Sequence, residues 1–271
     1  MRASSQASLE AAADRWEPVL ADASGGALEL ARELFAVVDV LDDSIALRRA
    51  LTDPGRDSDD KAKVASDLLG GKVADAVVDL LAGMARSRWS AERDIADALA
   101  RLAIDTVLAS AAGSDVLEQV EEEVFRIGRL IAEHRDLRLM LADSTVDLDR
   151  RRDLAVEVFG AKVTEQSALL LRRSVGNVRH GSLTAALGEI SELAAQRRRR
   201  LVAVVTAAVP LTAEQTERLR NTLTRAYGRT VQVHVGVDPR VLGGLRIEIG
   251  DDVVDGTTIG RLDDARRRLA G

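Results

Sequence analysis

Val237-Asp-Pro-Arg-Val-Leu-Gly-Gly-Leu-Arg-Ile-Glu-Ile-Gly-Asp-Asp-Val-Val-Asp-Gly-Thr-Thr-Ile-Gly-Arg-Leu-Asp-Asp-Ala-Arg-Arg-Arg-Leu269 holds more turn chemistry than any other stretch of this 271-residue chain. Asp238 is placed to cap a short helical turn with Pro239 at its first position, where a missing N–H is no loss. Gly243 and Gly244 then let the backbone reverse into a strand from Leu245 to Ile249. In that strand Leu245, Ile247 and Ile249 point one way and Arg246 and Glu248 the other, the period of a sheet with one wet face. Gly250-Asp251-Asp252 turns the chain into Val253-Val254, and Asp255-Gly256-Thr257 ends that strand and caps a last helix. Ile259, Leu262, Ala265 and Leu269 share a face of that helix, and Arg266, Arg267 and Arg268 complement its negative end.

Upstream of this stretch the hydrophobic period is also that of strands, back to residue 201. Leu201-Val-Ala-Val-Val-Thr-Ala-Ala-Val209 is apolar on both faces, as expected of an inner strand. Thr212 and Gln215 form a capping box, and Leu219, Leu223 and Ala226 put one face of a helix on the sheet until Gly228 stops it. Val231, Val233, Val235 and Val237 alternate with Gln232, His234 and Gly236. A β-α-β-β-β-α domain over residues 201–271 follows from this pattern.

Residues 1–200 carry the helical period instead. The spacing predicts a helix over 4–23 interrupted near Pro18, then helices over 27–41, 45–51, 60–69, 72–86 and 90–111. After Gly113 the pattern starts again. Leu47-Arg-Arg-Ala-Leu-Thr-Asp53 recurs as Leu137-Arg-Leu-Met-Leu-Ala-Asp143, and Leu68-Leu-Gly-Gly-Lys-Val73 as Val158-Phe-Gly-Ala-Lys-Val163. Asp57 and Asp59 match Asp147 and Asp149, and Leu80-Leu81 match Leu170-Leu171, all in one register. A duplicated helical module is the reading. The fold class expected is therefore mainly α: a first helical module over 1–113, a second over 114–200, and a small α/β domain over 201–271. The 90–111 helix is placed to close one bundle and open the next. In the second module Val116, Val120, Val124, Ile127 and Ile131 form the buried stripe, with Glu121-Glu122-Glu123 mostly outside.

Composition narrows the function. Apolar residues make up 46% of the chain but aromatics only 2%, so the cores are built of Ala, Val and Leu, which suits close-packed helices. Without cysteine there is no disulfide, thiolate metal site or thiol nucleophile. His134, His180 and His234 are far apart, and the Asp57-Ser-Asp-Asp60 cluster lacks the ligand spacing of a calcium loop, so helix capping explains it. No stretch is long and apolar enough to cross a bilayer and Met1-Arg-Ala-Ser-Ser-Gln has no signal core, so a soluble cytoplasmic chain is expected. A net charge of −6 argues against nucleic acid, and Arg197 to Arg200 read as a solvated helix end. Phosphate-cradling loops, dinucleotide fingerprints, nucleophile elbows and metalloprotease motifs are all missing. No catalytic, cofactor-binding or metal residue is assigned. Residues 1–114 hold 13 basic against 20 acidic residues, residues 115–200 hold 15 of each, so the acidic excess belongs to the first copy.

Taken in order and spacing, the Val-Asp-Pro, Leu-Gly-Gly-Leu, Ile-Gly-Asp, Val-Val-Asp-Gly-Thr and Gly-Arg-Leu steps resemble the C-terminal signature of the delta subunit of F-type ATP synthases, the oligomycin-sensitivity-conferring protein family. Asp238, Pro239, Gly243, Gly244, Gly250, Asp255, Gly256, Arg261 and Leu262 carry that signature, as structural residues. The helical part is similar to the family's six-helix bundle, with its Leu-Arg, Leu-x-Asp and Gly-x-Lys-Val progression, and the extra copy resembles the lengthened delta subunits of actinobacteria. The resemblance implies a non-catalytic stator in the peripheral stalk, without cofactor, at the cytoplasmic face of the cell membrane. Its implied partners are the N-terminal segments of the alpha subunits of the catalytic head and the b-type stalk subunit, with no nucleic acid and no membrane span of its own. The second copy, closer to the family bundle, is expected to hold the head, and the acidic first copy to brace it. The other readings are a helical adaptor unrelated to ATP synthase and, from another class, a phosphate-handling enzyme using Gly243-Gly244 or Asp251, Asp252 and Asp255.

Overall fold

Apolar stripes at helical spacing fold residues 3–199 into α1 (Ala3–Asp22), α2 (Ala27–Asp43), α3 (Ile45–Thr52), α4 (Ser58–Leu69), α5 (Asp75–Arg86), α6 (Asp94–Gly113), α7 (Leu117–Glu133), α8 (Arg135–Ala142), α9 (Leu148–Phe159), α10 (Glu165–Ser174) and α11 (Leu183–Arg199). The computed structural model describes residues 1–23, 25–176, 179, 181–199, 201–227, 231–238, 241, 243–249 and 252–255. It divides into two compact units, Met1–Ala195 and Gln196–Gly271.

The internal repeat is visible helix by helix. α2, α3, α4 and α5 begin at residues 27, 45, 58 and 75, and α7, α8, α9 and α10 at 117, 135, 148 and 165, each 90 further on. The buried side chains repeat in the same register: Leu34, Val37 and Leu41 with Val124, Ile127 and Ile131, Leu51 with Leu141, Ala65 with Ala155, and Leu80-Leu81 with Leu170-Leu171. Polar devices repeat as well. Asp57 caps α4 by accepting from the Asp59 N–H at 2.8 Å, and Asp147 caps α9 by accepting from the Asp149 N–H at 3.0 Å. Arg48 donates to the Asp42 carbonyl at the end of α2, and Arg138 to the Ala132 carbonyl at the end of α7. Between the repeats stands α6, packed most extensively on α2, with smaller contacts to α1, α3 and α5 on one side and to α7 and α10 on the other. One hydrophobic core runs through all these helices, with Leu99, Leu102, Val107 and Leu108 of α6 buried in it.

Three sequence expectations need correction in this unit. α1 runs unbroken through Pro18. The proline removes only one N–H near the helix end, while Leu9, Ala12, Trp16 and Leu20 bury a continuous face and the Trp16 indole donates to Thr106 Oγ1 at 2.8 Å. α6 starts at Asp94, because Ser90 to Arg93 form a turn pinned by the Asp94 carboxylate, which accepts from the Ser5 hydroxyl and the Ala91 N–H. Glu123 lies inside, not outside, since it serves as an acceptor described below.

In the second unit β1 (Leu201–Ala207), α12 (Ala213–Tyr227), β2 (Val231–Val237), β3 (Leu245–Ile249) and β4 (Asp252–Asp255) form a sheet in the order β2-β1-β3-β4. β2 runs parallel to β1, as the intervening helix permits, and β3 and β4 are antiparallel additions. The capping box closes as expected, with the Thr212 N–H donating to Gln215 Oε1 and the Gln215 N–H to Thr212 Oγ1. Leu219 and Leu223 of α12 lie on Ala203, Val205, Ile247 and Ile249. β1 is an inner strand by position, but Val204 on its other face is 48% exposed, because successive residues point to opposite faces and α12 covers one. The expected final helix lies outside the described residues.

Candidate partner-binding surfaces

Copy meets copy along a seam rich in arginine. Arg173, from α10, forms a two-pronged pair with Asp39 of α2, donates to the Phe35 carbonyl, and lays its guanidinium 4.7 Å from the centre of the Phe35 ring. Arg179 pairs with Asp42 of α2 and with Asp97 of α6. Burial by itself would make the Arg179 guanidinium easier to deprotonate, but the hydrogen bonds it donates to Asp42 and Asp97, with the charge of those carboxylates, outweigh burial and raise its pKa. Arg32 of α2 pairs with Glu165 of α10, and the hydrogen bond it donates to the Glu165 carboxylate raises the Arg32 pKa. Part of the first copy's acidic excess is thus spent inside the chain, against cations of the second copy. Beside these pairs lies a cleft of about 540 Å3 between α2, α6, α9, α10 and α11.

Glu33 and Glu123 tie each copy together from within. Each reaches the turn before the fifth helix of its own copy: Glu33 accepts from the Ala74 N–H at 2.8 Å, and Glu123 from the Thr164 N–H at 2.9 Å and the Thr164 hydroxyl at 2.8 Å. Burial alone would raise the Glu123 pKa, but hydrogen bonds from Ser167, the Thr164 N–H, Gln119 and the Thr164 hydroxyl hold it below the usual glutamate value. Sequence reasoning missed both: Glu123 ends an acidic run that reads as a solvated face, and Glu33, between Arg32 and Leu34, carries no local cue. Their shared 90-residue offset was the available signal.

The described signature residues, Asp238, Gly243, Gly244 and Asp255, lie at one end of the sheet. Asp238 follows β2, its N–H donating to the Ala207 carbonyl at 2.9 Å and its carbonyl accepting from the Val241 N–H. Gly243 and Gly244 enter β3 at φ values of 77° and 86°, a region hostile to side chains. Asp255 closes β4 opposite Arg246. Pro239, Gly250, Gly256, Arg261 and Leu262 lie outside the described residues. Among the described residues there is no group of three acidic or histidine side chains able to hold a metal, and no helix long and apolar enough to cross a membrane.

Residues 105–269, most of the chain, match the model of the family described as ATP synthase delta (OSCP) subunit. The chain belongs to that family. An ATP synthase subunit delta of Beutenbergia cavernae is 54% identical over 271 residues, covering all of both chains. One from Streptomyces avermitilis is 42% identical over 98% of this chain and 97% of its own, and one from Thermobifida fusca is 37% identical over both whole chains. A chain of the Toxoplasma gondii mitochondrial ATP synthase hexamer aligns at a TM-score of 0.29 and 15% identity, over 62% of this chain and 95% of that one, too low to bear on the fold. The family model starts within α6, the helix between the two repeats, whereas these delta-subunit relatives align through the first copy as well. The added copy is therefore shared with the delta chains of those bacteria.

Proposed function

We propose that this delta-family chain is a peripheral-stalk part of the proton-translocating F-type ATP synthase, holding the catalytic head to the b-type stalk against rotary torque. The observation that carries the reading is the end-to-end similarity to an ATP synthase subunit delta, 54% identical over the whole length. Two compact units in one chain suit two attachments. The helical unit would take the N-terminal segments of the alpha subunits, and the unit bearing the signature turn would take the b-type helix, each by laying apolar anchors at helical spacing into a groove. The work is mechanical: torque on the shaft would spin the head unless a static bridge held it, so the chain needs slow dissociation and stiffness rather than a reactive group. Its place is the cytoplasmic face of the cell membrane, attached through the complex. The adaptor reading has no observation in its favour.

Reconstitution tests this. Membranes stripped of the chain should lose ATP-driven proton pumping, and the full chain should restore it without hydrolysing nucleotide alone. A chain that binds neither head nor b-type helix, or that turns over ATP in isolation, would overturn the reading.

A further inference from the structure

Two cations in the cleft between the two helical copies, Arg48 and Arg152, are poorly compensated among the described residues. Arg173 and Arg179 have carboxylate partners, and Arg101 is tied to Asp105 and Glu189. The Arg48 Nε–H is buried without a partner among the described residues, but its other N–H groups cap the end of α2 at the Leu41 and Asp42 carbonyls. Arg152, on α9, lines the same cleft with its side chain only 17% exposed; its Nε–H likewise has no partner among the described residues, and it caps no helix. Its nearest carboxylate, Asp149 at 3.3 Å, stands largely in solvent and is shared with Arg172 at 3.8 Å. The repeat supplies an internal control. At the equivalent place the first copy has Ala62, fully packed, so this helical position needs no cation to fold. A guanidinium withdrawn from water against one weak counterion costs stability, and groups retained at such a cost mark places where something binds.

The other walls define what fits. Phe35, Val38, Ile104, Leu148, Leu170 and Ile190 make much of the lining apolar, while Asp39, Asp42 and Asp97 add negative charge that disfavours nucleotides and other polyanions. We propose that this cleft binds a single carboxylate carried on an apolar body, the carboxylate taking the unused Nε–H and a second N–H of Arg152 as a fork and the body lying on the apolar walls. The site does not depend on the stator reading. Such a carboxylate comes either from a free aliphatic acid or from an acidic side chain on an apolar helix of a partner.

The test uses the full chain, wild type against Arg152→Met and Arg152→Lys, titrated with octanoate by calorimetry and unfolded by heat without ligand. Expected are saturable octanoate binding, loss of at least about tenfold in affinity for Arg152→Met, a smaller loss for Arg152→Lys, and no fall in unfolding temperature for Arg152→Met. A helical peptide of alanine and leucine with one glutamate forms the second arm. Peptide binding tighter than octanoate, and still dependent on Arg152, identifies a partner's side chain as the source; the reverse order identifies a free acid. If neither probe binds in an Arg152-dependent way, or if Arg152→Met and Asp149→Asn lower the unfolding temperature alike, Arg152 is a structural ion-pair member and the proposal is overturned.

Discussion

Glu123 shows how one residue can look solvated in sequence and be structural in fact. It accepts from Thr164 across 41 residues of chain, and a neutral amide in its place keeps one oxygen for that N–H but loses the charge-assisted strength of the bond and the second acceptor that Gln119 uses. Glu123→Gln should cost about 1–3 kcal/mol in urea denaturation at neutral pH. The sign with pH follows from its lowered folded-state pKa. The carboxylate's contribution is fully present above the unfolded-state value and is lost as pH falls through the lowered folded-state value, so wild type and Glu123→Gln should converge only in acid, below the usual glutamate range. Convergence at neutral pH would contradict the assignment. At Gly244 the issue is backbone. With φ at 86°, Gly244→Val should destabilise the Gln196–Gly271 unit by more than about 1 kcal/mol, and Gly244→Ala by less, seen as a lower unfolding temperature of that unit.

Helices α2 and α10 meet through a clasp whose parts lie 134 residues apart in sequence. Arg173 is mostly buried and grips both the Asp39 carboxylate and the Phe35 ring, so the pair should be worth more than a surface ion pair. A double-mutant cycle on Asp39→Asn and Arg173→Met is expected to return a coupling of about 0.5–3 kcal/mol that changes little between low and moderate salt. Coupling near zero would mean that the copies are held by apolar contacts alone. The helices themselves were legible: α2 to α5 and α7 to α10 follow from their apolar stripes, with capping aspartates at α4 and α9. Their mutual docking was not, because nothing in α2 announces that Asp39 and Asp42 face arginines rather than water.

Taken whole, the helical unit shares one helix between its repeats. A chain starting at residue 113 loses α6, and with it Leu99, Leu102 and Leu108 from the core, whereas one starting at residue 90 keeps all six helices of the second copy. Circular dichroism and thermal unfolding should show a cooperative transition for the chain from 90 and a weakened or missing one in the helical unit of the chain from 113. Equal stability of the two would show that α6 belongs to the first copy alone. Head binding, proposed for the second copy, is best measured on the chain from 90.

By itself the sequence determined, among the described residues, most of the helix and strand segments, the 90-residue repeat, the change of period at residue 201 and the family signature after residue 237. These are local properties, carried by periodicity and turn chemistry within a few residues. Only the tertiary structure decided that α1 passes through Pro18, that Glu33 and Glu123 are internal acceptors, that Val204 faces outward from an apolar strand, and that the acids of α2 close on the arginines of the second copy. Each of these depends on what a side chain meets from a distant part of the chain: burial and pairing are set by the packed surface around a residue, and the residue's own polarity does not specify that surface.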